Sequence, residues 1–176
     1  MREFTCDSLL EWYALLQQNV HDLGDEHFES FTPTERDEFR ADLLEEIRKD
    51  YAFKLLTLLE AGIRKDFLVS LKRRKRDRVS RAYRALCEEY RRETRQVGKQ
   101  ATQACRRIPL DRIFDELRDC FSGIDEAFQR DCSATKGYFK FRNWYAHGRI
   151  RTMPVVPDPE DVYEAYEQFQ EKVLNR

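Results

Sequence analysis

One apolar stripe, which keeps helical spacing from Phe39 to Phe67, constrains the fold of this chain more than any other feature of its sequence. The stripe follows Thr32-Pro-Thr-Glu35, which places Thr at the N-cap, Pro at the first helical position and Glu at the third. Together they predict one helix of about forty residues, which is about 60 Å long at 1.5 Å per residue. Such a helix can extend beyond a compact bundle, and Gly62 marks a point where it could bend.

The rest of the sequence also favours helices. Hydrophobic residues make up 41% and charged residues 37%, and 6 Gly and 5 Pro provide little of the punctuation that many short strands need. We therefore predict an all-α fold, an antiparallel helical bundle with one long, basic-ended helix, in a single domain of residues 1–176. Further helical segments are expected at residues 8–23, behind a Ser8–Glu11 capping box, and at 79–90, 110–121, 134–148 and 159–173. Residues 93–108 contain few apolar side chains and are predicted to form a mobile basic loop.

The charges are unevenly distributed along the chain. Residues 64–112 contain 17 Lys and Arg against 6 Asp and Glu, although the net charge of the whole chain is −1. A density of this kind, highest between Leu71 and Arg84, binds polyanions such as nucleic acid through counterion release. An equally open interpretation is a solvated, salt-bridged helix face that acidic residues of this chain or of a partner neutralise. The predicted nucleic-acid-binding residues are Lys72, Arg73, Arg74, Lys75, Arg76, Arg78, Arg81, Arg84 and Arg149.

Several classes of protein are disfavoured by what the sequence lacks. No apolar run approaches the roughly 20 residues that cross a bilayer, and the first residues lack the apolar segment of a signal peptide. We therefore expect a cytoplasmic protein without a membrane partner. The five cysteines are odd in number and scattered, which predicts reduced thiols rather than a disulfide framework or a zinc site. Glycine-rich phosphate loops, HExxH and CxxC motifs are also missing, so no cofactor and no metal are expected.

The stretch KFRNWYAHGRI, Lys140 to Ile150, contains the residues that point most directly to chemistry. On a helix, three aromatic side chains of this region fall on one face as an apolar anchor. They are Tyr138, Phe141 and Tyr145. Asn143 and His147 are four positions apart, so they lie one turn from each other on a different face and can interact. Gly148 is expected to end the helix directly after His147, an imidazole that can give or take a proton near neutral pH.

Arg142 and His147 diverge by about 140° around the helix axis, so a single copy aims them poorly at one shared atom. Two copies that face each other would not have this difficulty. These residues could also have a purely structural role at the end of the helix, and this alternative stays open. A His before a C-terminal Gly can hydrogen-bond the last carbonyl groups, an Arg can lie along aromatic rings, and an Asn can cap a helix end.

The motif Arg142-Asn143-Trp-Tyr-Ala-His147 resembles the signature of the HEPN superfamily of small helical-bundle proteins, an Arg, commonly followed by a polar residue, and a His after four to six intervening residues. The stretch LLEAGIRKDF, Leu58 to Phe67, with the basic residues behind it, resembles the long second helix of ribonuclease-like members. The resemblance covers residues 33 to 174, only loosely in the middle.

This resemblance implies metal-independent RNA cleavage, by a toxin or an effector of antiviral defence, with RNA such as tRNA or mRNA as the partner. His147 would then be the general acid or base, Arg142 would stabilise charge on the phosphate, and Asn143 would orient the imidazole or hold the phosphate. Members of the superfamily commonly form homodimers in which two motifs line one cleft. A polar group from the long helix is also expected near the motif, and the supporting residues that fit are Glu60, Arg64 and Asp66.

Three functions therefore compete. The first is a dimeric HEPN ribonuclease, the second a non-catalytic nucleic-acid-binding or adaptor subunit with the same fold, and the third a helical subunit whose basic arm binds an acidic protein. An antitoxin or another defence protein is a further partner that the resemblance suggests. In members that pair with a nucleotidyltransferase antitoxin, a Tyr commonly stands two residues after the motif His. Arg149 occupies that position here, so control by modification of such a Tyr is not supported.

Overall fold

The computed structural model describes residues 5–73, 76–95, 99–149, 152 and 154–175. These residues form seven α-helices and two short helical turns, and they include no strand. The helices are α1 (Cys6–His21), α2 (Pro33–Arg73), α3 (Arg78–Glu93), α4 (Lys99–Arg106), α5 (Leu110–Cys120), α6 (Glu126–Ala146) and α7 (Pro159–Phe169). A 3₁₀ turn spans Asp25–Phe28 and a π turn spans Gln170–Leu174. The predicted all-α bundle with one long helix is confirmed.

The long helix α2 is the centre of the bundle. Its start has the predicted capping box, in which the Thr32 amide donates to Glu35 Oε2 at 2.7 Å and the Glu35 amide donates to Thr32 Oγ1 at 3.3 Å. The helix then runs for 41 residues and packs against α1, α3, α6, α7 and the π turn. The middle of α2 is therefore deeply buried, with Leu55, Leu59 and Ile63 all 0% exposed.

Gly62 has a packing role within α2. The helix continues through this residue, and a Cβ atom placed on it would lie 3.0 Å from Leu174 Cδ1 in the π turn. That distance is shorter than most carbon contacts, so the missing side chain lets the C-terminal turn approach α2 closely. Gly62 therefore allows a close contact between helix α2 and the π turn, whereas the sequence marks it as a possible bend.

Two predicted helix starts are wrong. Helix α1 begins one turn earlier than the Ser8 capping box predicts, because Thr5 is the N-cap and its Oγ1 accepts from the Ser8 amide at 3.2 Å. The motif helix α6 begins at Glu126 rather than near residue 134, because the Asp125 carboxylate accepts from the Phe128 amide at 2.9 Å. Phe128 therefore lies in the first turn of α6.

Part of the predicted mobile loop, residues 93–108, is the helix α4. Its inner side consists of Ala104 and Cys105, which are 4% and 5% exposed, and Ile108 behind it is 1% exposed. Cys105 forms a disulfide with Cys87 of α3, so the prediction that all five thiols are reduced is also wrong. Ala104 and Cys105 have small side chains, and for this reason the apolar spacing of α4 does not stand out in the sequence.

Three cysteines are free thiols: Cys6, Cys120 and Cys132. Burial raises the pKa of Cys6 to about 11 and that of Cys132 to about 12, so both are poor nucleophiles at neutral pH. None of the helices in the described ranges is both long enough and apolar enough to cross a membrane.

Candidate functional site

The motif lies at the C-terminal end of α6, where the chain leaves the helix in a left-handed turn. His147 is the C-cap, and its amide donates to the Asn143 carbonyl at 3.1 Å. Gly148 and Arg149 follow with φ of +78° and +60°, and the Arg149 amide donates back to the Trp144 carbonyl at 3.1 Å. The helix thus ends where the sequence predicts, and this turn fixes the backbone that carries His147.

Aromatic packing anchors this end of α6 on the bundle. Phe141 is 0% exposed, and the Tyr145 ring stacks on Phe53 of α2 with 4.9 Å between their centroids. Trp144 is half-buried, with its centroid 6.1 Å from that of Phe141. The predicted anchor is therefore present, and it leaves the opposite side of the helix to solvent. Lys140, Asn143 and His147 share that exposed side.

Glu60 of α2 joins two arginines across the bundle. Its Oε2 lies 2.7 Å from Arg142 Nη2 in an ion pair whose angle is not that of a hydrogen bond, and its Oε1 accepts from Arg64 Nε at 2.8 Å. Arg64 Nη1 in turn donates to the Ile108 carbonyl at 3.4 Å, two residues after the end of α4. The motif arginine, the long helix and the start of the α4–α5 connection are thus linked by consecutive polar contacts.

The guanidinium of Arg142 is held on its inner side and open on its outer side. The Arg142 side chain is 25% exposed and that of Glu60 is 17% exposed, and Arg142 Nε is buried without a hydrogen-bond partner among the described residues. Towards solvent, Arg142 Nη1 donates to Asn143 Oδ1 at 3.1 Å. A partly buried cation with one fixed counter-charge and one exposed contact is well placed to exchange the exposed contact for an anion.

His147 is exposed, and no side chain of the described ranges forms a hydrogen bond or ion pair with its imidazole. The predicted contact with Asn143 is not formed, and the Asn143 carboxamide oxygen accepts from Arg142. The proposed orientation of the imidazole by Asn143 is therefore not seen in this arrangement. The exposed side chain of His147 is accessible to a ligand from solvent.

The structure separates the three supporting residues that the sequence suggests. Glu60 and Arg64 both reach the motif side of α2 through the contacts given above. Asp66 lies about 200° around the helix from Arg64, and its carboxylate accepts from the hydroxyl of buried Ser70 at 3.4 Å. Glu60 and Arg64 therefore belong to the candidate site, whereas Asp66 faces another part of the bundle.

The predicted basic segment covers the end of α2 and the start of α3. Of the predicted residues, Arg84 is half-buried, and the exposed ones are Lys72, Arg76, Arg78 and Arg81. Arg74 and Lys75 lie outside the described residues, and Arg73 is described only as the last residue of α2. Between the two helices, the Asp77 carboxylate caps α3 by accepting from the Ser80 amide at 2.9 Å.

Arg149 contacts its own chain. Its Nη2 lies 2.7 Å from Glu46 Oε2 on α2, and its guanidinium lies 4.4 Å from the centroid of the Tyr145 ring. The hydrogen bond from Arg149 lowers the pKa of Glu46, and the same contact raises the pKa of Arg149. Glu46 is a residue of this region that the sequence analysis missed, because no local spacing relates it to a position 103 residues away.

No cluster of three or more His, Cys, Asp or Glu side chains in the described ranges is arranged to hold a metal ion. Comparison of the chain with models of protein families, with curated proteins and with solved structures found no match.

Proposed function

We propose that this chain is a HEPN-type endoribonuclease that acts in the cytoplasm as a toxin or defence effector. The observation that carries the proposal is the motif at the end of α6, where exposed His147 follows an arginine that Glu60 of the long helix holds by an ion pair. The arrangement combines a proton-transfer group with a positioned cation, and these are the two groups that cleavage beside a ribose 2′-hydroxyl needs.

The proposed reaction forms a bond between the 2′-oxygen and the adjacent phosphorus and breaks the bond from that phosphorus to the 5′-oxygen. The 2′-hydroxyl loses a proton and the 5′-oxygen gains one, and His147 is the residue proposed to transfer a proton in this exchange. Arg142 pairs with the phosphate oxygens as negative charge builds. The products are a 2′,3′-cyclic phosphate and a 5′-hydroxyl, and no step requires a metal ion.

The contacts of Arg142 support this division of roles. A guanidinium has five N–H donors, and the described contacts of Arg142 use its Nη1 and Nη2 groups. Displacing Asn143 Oδ1 by a phosphate oxygen would leave the ion pair with Glu60 in place. Glu60 would then keep the guanidinium positioned before RNA binds, so that little reorganisation is needed during the reaction.

A homodimer is part of the proposal, because two motifs facing each other would bring a second imidazole to one phosphate. The face that carries Asn143 and His147 is the proposed seam. Trp144 is expected at this seam from the helix spacing, but it packs against Phe141 of its own chain, so its replacement would also disturb the bundle. Lys140 is exposed on the same side as His147 and is therefore the cleaner position at which to test dimerisation.

The proposal is tested by incubating the pure protein with total RNA and with tRNA in EDTA and analysing the fragment ends. The wild type should yield 2′,3′-cyclic phosphate and 5′-hydroxyl ends, and His147→Ala and Arg142→Ala should each lose about 10²-fold or more of the rate. His27→Ala is the matched control, since His27 is an exposed histidine of the 3₁₀ turn. Equal cleavage by His147→Ala and His27→Ala would remove His147 from the chemistry.

A second candidate function is a non-catalytic RNA-binding or adaptor subunit. One observation favours it: Arg142 is three-quarters buried and already paired with Glu60, which is also the arrangement of a structural ion pair. For this function, the wild type and Arg142→Ala would bind RNA without cleaving it, and Arg142→Ala would mainly lower the melting temperature. RNA binding without product in EDTA would therefore decide for the second function.

A further inference from the structure

A groove of about 360 Å³ lies where the end of α2 meets α3 and α4. Four cations and one carboxylate border it, and they come from all three helices. These residues are Lys72 from α2, Arg84, Glu88 and Arg91 from α3, and Arg106 from α4. The Cys87–Cys105 disulfide lies in its wall. We call this region the basic groove.

The charges of the basic groove favour an anion. Lys72, Arg91 and Arg106 are exposed at its border. The single acid, Glu88, has its Oε2 3.9 Å from Arg92, a cation outside the groove lining. The apolar part of the basic groove's lining includes Leu68 and Leu71. Cations at the rim of a concave surface attract and orient a phosphate-bearing chain, because each neutralised phosphate releases counterions into solution.

The disulfide determines where one of these cations lies. Arg106 directly follows Cys105 at the end of α4, and α4 has only eight residues. A helix shorter than about 12 residues is marginal by itself in water, so α4 depends on what holds it against α3. The Cys87–Cys105 bond and the buried side chains of Ala104 and Ile108 provide that attachment. The position of Arg106 relative to the cations of α3 therefore depends on the bond.

We propose that the basic groove binds the phosphodiester backbone of RNA, and that the Cys87–Cys105 disulfide keeps it assembled. The groove extends the predicted basic segment to Arg91 and Arg106, neither of which was predicted to bind RNA. The choice of RNA as the polyanion rests on the proposed function, whereas the binding itself needs no cleavage and is measured without it.

The disulfide also makes this binding dependent on thiols. A dithiol reductant breaks the sulfur–sulfur bond, transfers two electrons and two protons to give two cysteine thiols, and is itself oxidised to a cyclic disulfide. In the cytoplasm such bonds are usually transient, so the groove is fully assembled only under oxidising conditions. Because RNA would bind more tightly to the oxidised, assembled groove, bound RNA would in turn stabilise the Cys87–Cys105 bond against reduction.

The test measures binding of fluorescein-labelled single-stranded RNA by anisotropy over a salt series. All variants are made in a His147→Ala background, so that no cleavage interferes. Arg91→Gln and Arg106→Gln should each weaken binding about fivefold at 0.1 M salt and lower the log–log salt slope by about 0.7, the value of one lost phosphate contact. Arg130→Gln, an exposed arginine of α6, is the matched control and should bind as the parent does.

Reduction and Cys105→Ser form the second arm of the test. Both should weaken RNA binding by at least the Arg106→Gln factor, while far-ultraviolet circular dichroism keeps the helical signal of the bundle. DNA of the same sequence should follow the same pattern among variants, because the groove contacts phosphates. Salt slopes of Arg91→Gln and Arg106→Gln equal to that of Arg130→Gln would overturn the proposal. Groove-dependent binding of polyglutamate together with no binding of RNA would also overturn the proposal.

The two proposals fail separately. If the wild type cleaves RNA but the groove variants bind RNA as the control does, the groove proposal is refuted and the ribonuclease proposal stands. If the wild type binds RNA through the groove but cleaves no RNA, the ribonuclease proposal is refuted and the groove proposal stands. Unchanged affinity on reduction, with the arginine variants weakened as expected, would overturn the role given to the disulfide.

Discussion

Replacing Glu60 by Gln tests the central contact of the candidate site, because one carboxylate serves two arginines. Glu60 lies 2.7 Å from Arg142 and 2.8 Å from Arg64, and its side chain is 17% exposed. Gln has the same shape but no charge, and its amide hydrogens would face a guanidinium that can only donate. Arg142, with its Nε already buried and unpaired, would lose its counter-charge.

The expected cost lies between two known limits. Exposed ion pairs contribute about 0–1 kcal/mol, and removing one partner of a fully buried pair costs about 3–5 kcal/mol. The Glu60–Arg142 pair is largely but not fully buried, so we expect a loss of about 1–2 kcal/mol in the free energy of unfolding. In a chain of this size, that loss lowers the melting temperature by about 2–8 °C.

Glu45→Gln is the matched control for this measurement. Glu45 is on the same helix and pairs with Lys49 at 3.2 Å, but its side chain is 52% exposed, so its replacement should cost about 0.5 kcal/mol or less. Thermal unfolding followed by circular dichroism compares the two variants directly. RNA cleavage by Glu60→Gln should fall at least about tenfold at a temperature where the variant is folded, since the arginine is no longer positioned.

Equal melting temperatures for Glu60→Gln and Glu45→Gln would refute the argument that the Glu60–Arg142 pair supports the bundle. A destabilised Glu60→Gln that cleaves RNA at the wild-type rate would refute its positioning role. In that case the ion pair would be a structural feature only.

Two further predictions concern the surroundings of the motif. Lys140→Glu places a negative charge on the exposed side that Lys140 shares with His147, so a dimer across this face should dissociate in sedimentation experiments. The melting temperature should stay within about 2 °C of the wild-type value, as for other surface changes. An unchanged dimer would place the seam elsewhere. The hydrogen bond from Arg149 lowers the pKa of Glu46 in the folded protein, so their contact stabilises the fold at a pH above the ordinary pKa of Glu. That stabilisation is lost as the pH falls from the ordinary pKa through the lowered one. Glu46→Gln should therefore flatten the acid side of a plot of stability against pH, and a curve parallel to that of the wild type would contradict the assignment.

The elements that could be predicted from the sequence are those whose signals are local. Thr32 and Asp158 cap their helices as their neighbours in sequence indicate. The start of α6 was missed although Asp125 is a good N-cap residue, because only Phe128 and Cys132 mark the buried face of the helix before residue 134. α4 was missed because small residues on its inner face give little contrast in hydropathy.

The contacts of the candidate site also divide into those that local sequence spacing predicts and those that it does not. The order of Arg142, Asn143 and His147 on one helix follows from their spacing, but the partner of Arg142 does not. Glu60 is 82 positions away in the sequence, and only the packing of α6 on α2 brings the two side chains together. The Cys87–Cys105 bond is another long-range contact, between positions 18 apart in the sequence, and most of the chain between them is predicted to be a loop.

The unbroken course of α2 sets a fixed distance between two parts of the molecule. Glu60, which holds the motif arginine, and Lys72, at the border of the basic groove, are separated by twelve residues of one helix, or about 18 Å along its axis. Stacked nucleotides advance by about 3.4 Å each along a strand, so about five of them cover this distance. In the proposed ribonuclease, a stacked RNA strand that occupies both places would have to be at least that long. The helix α2 would then set a minimum length for a stacked substrate that does not depend on base sequence.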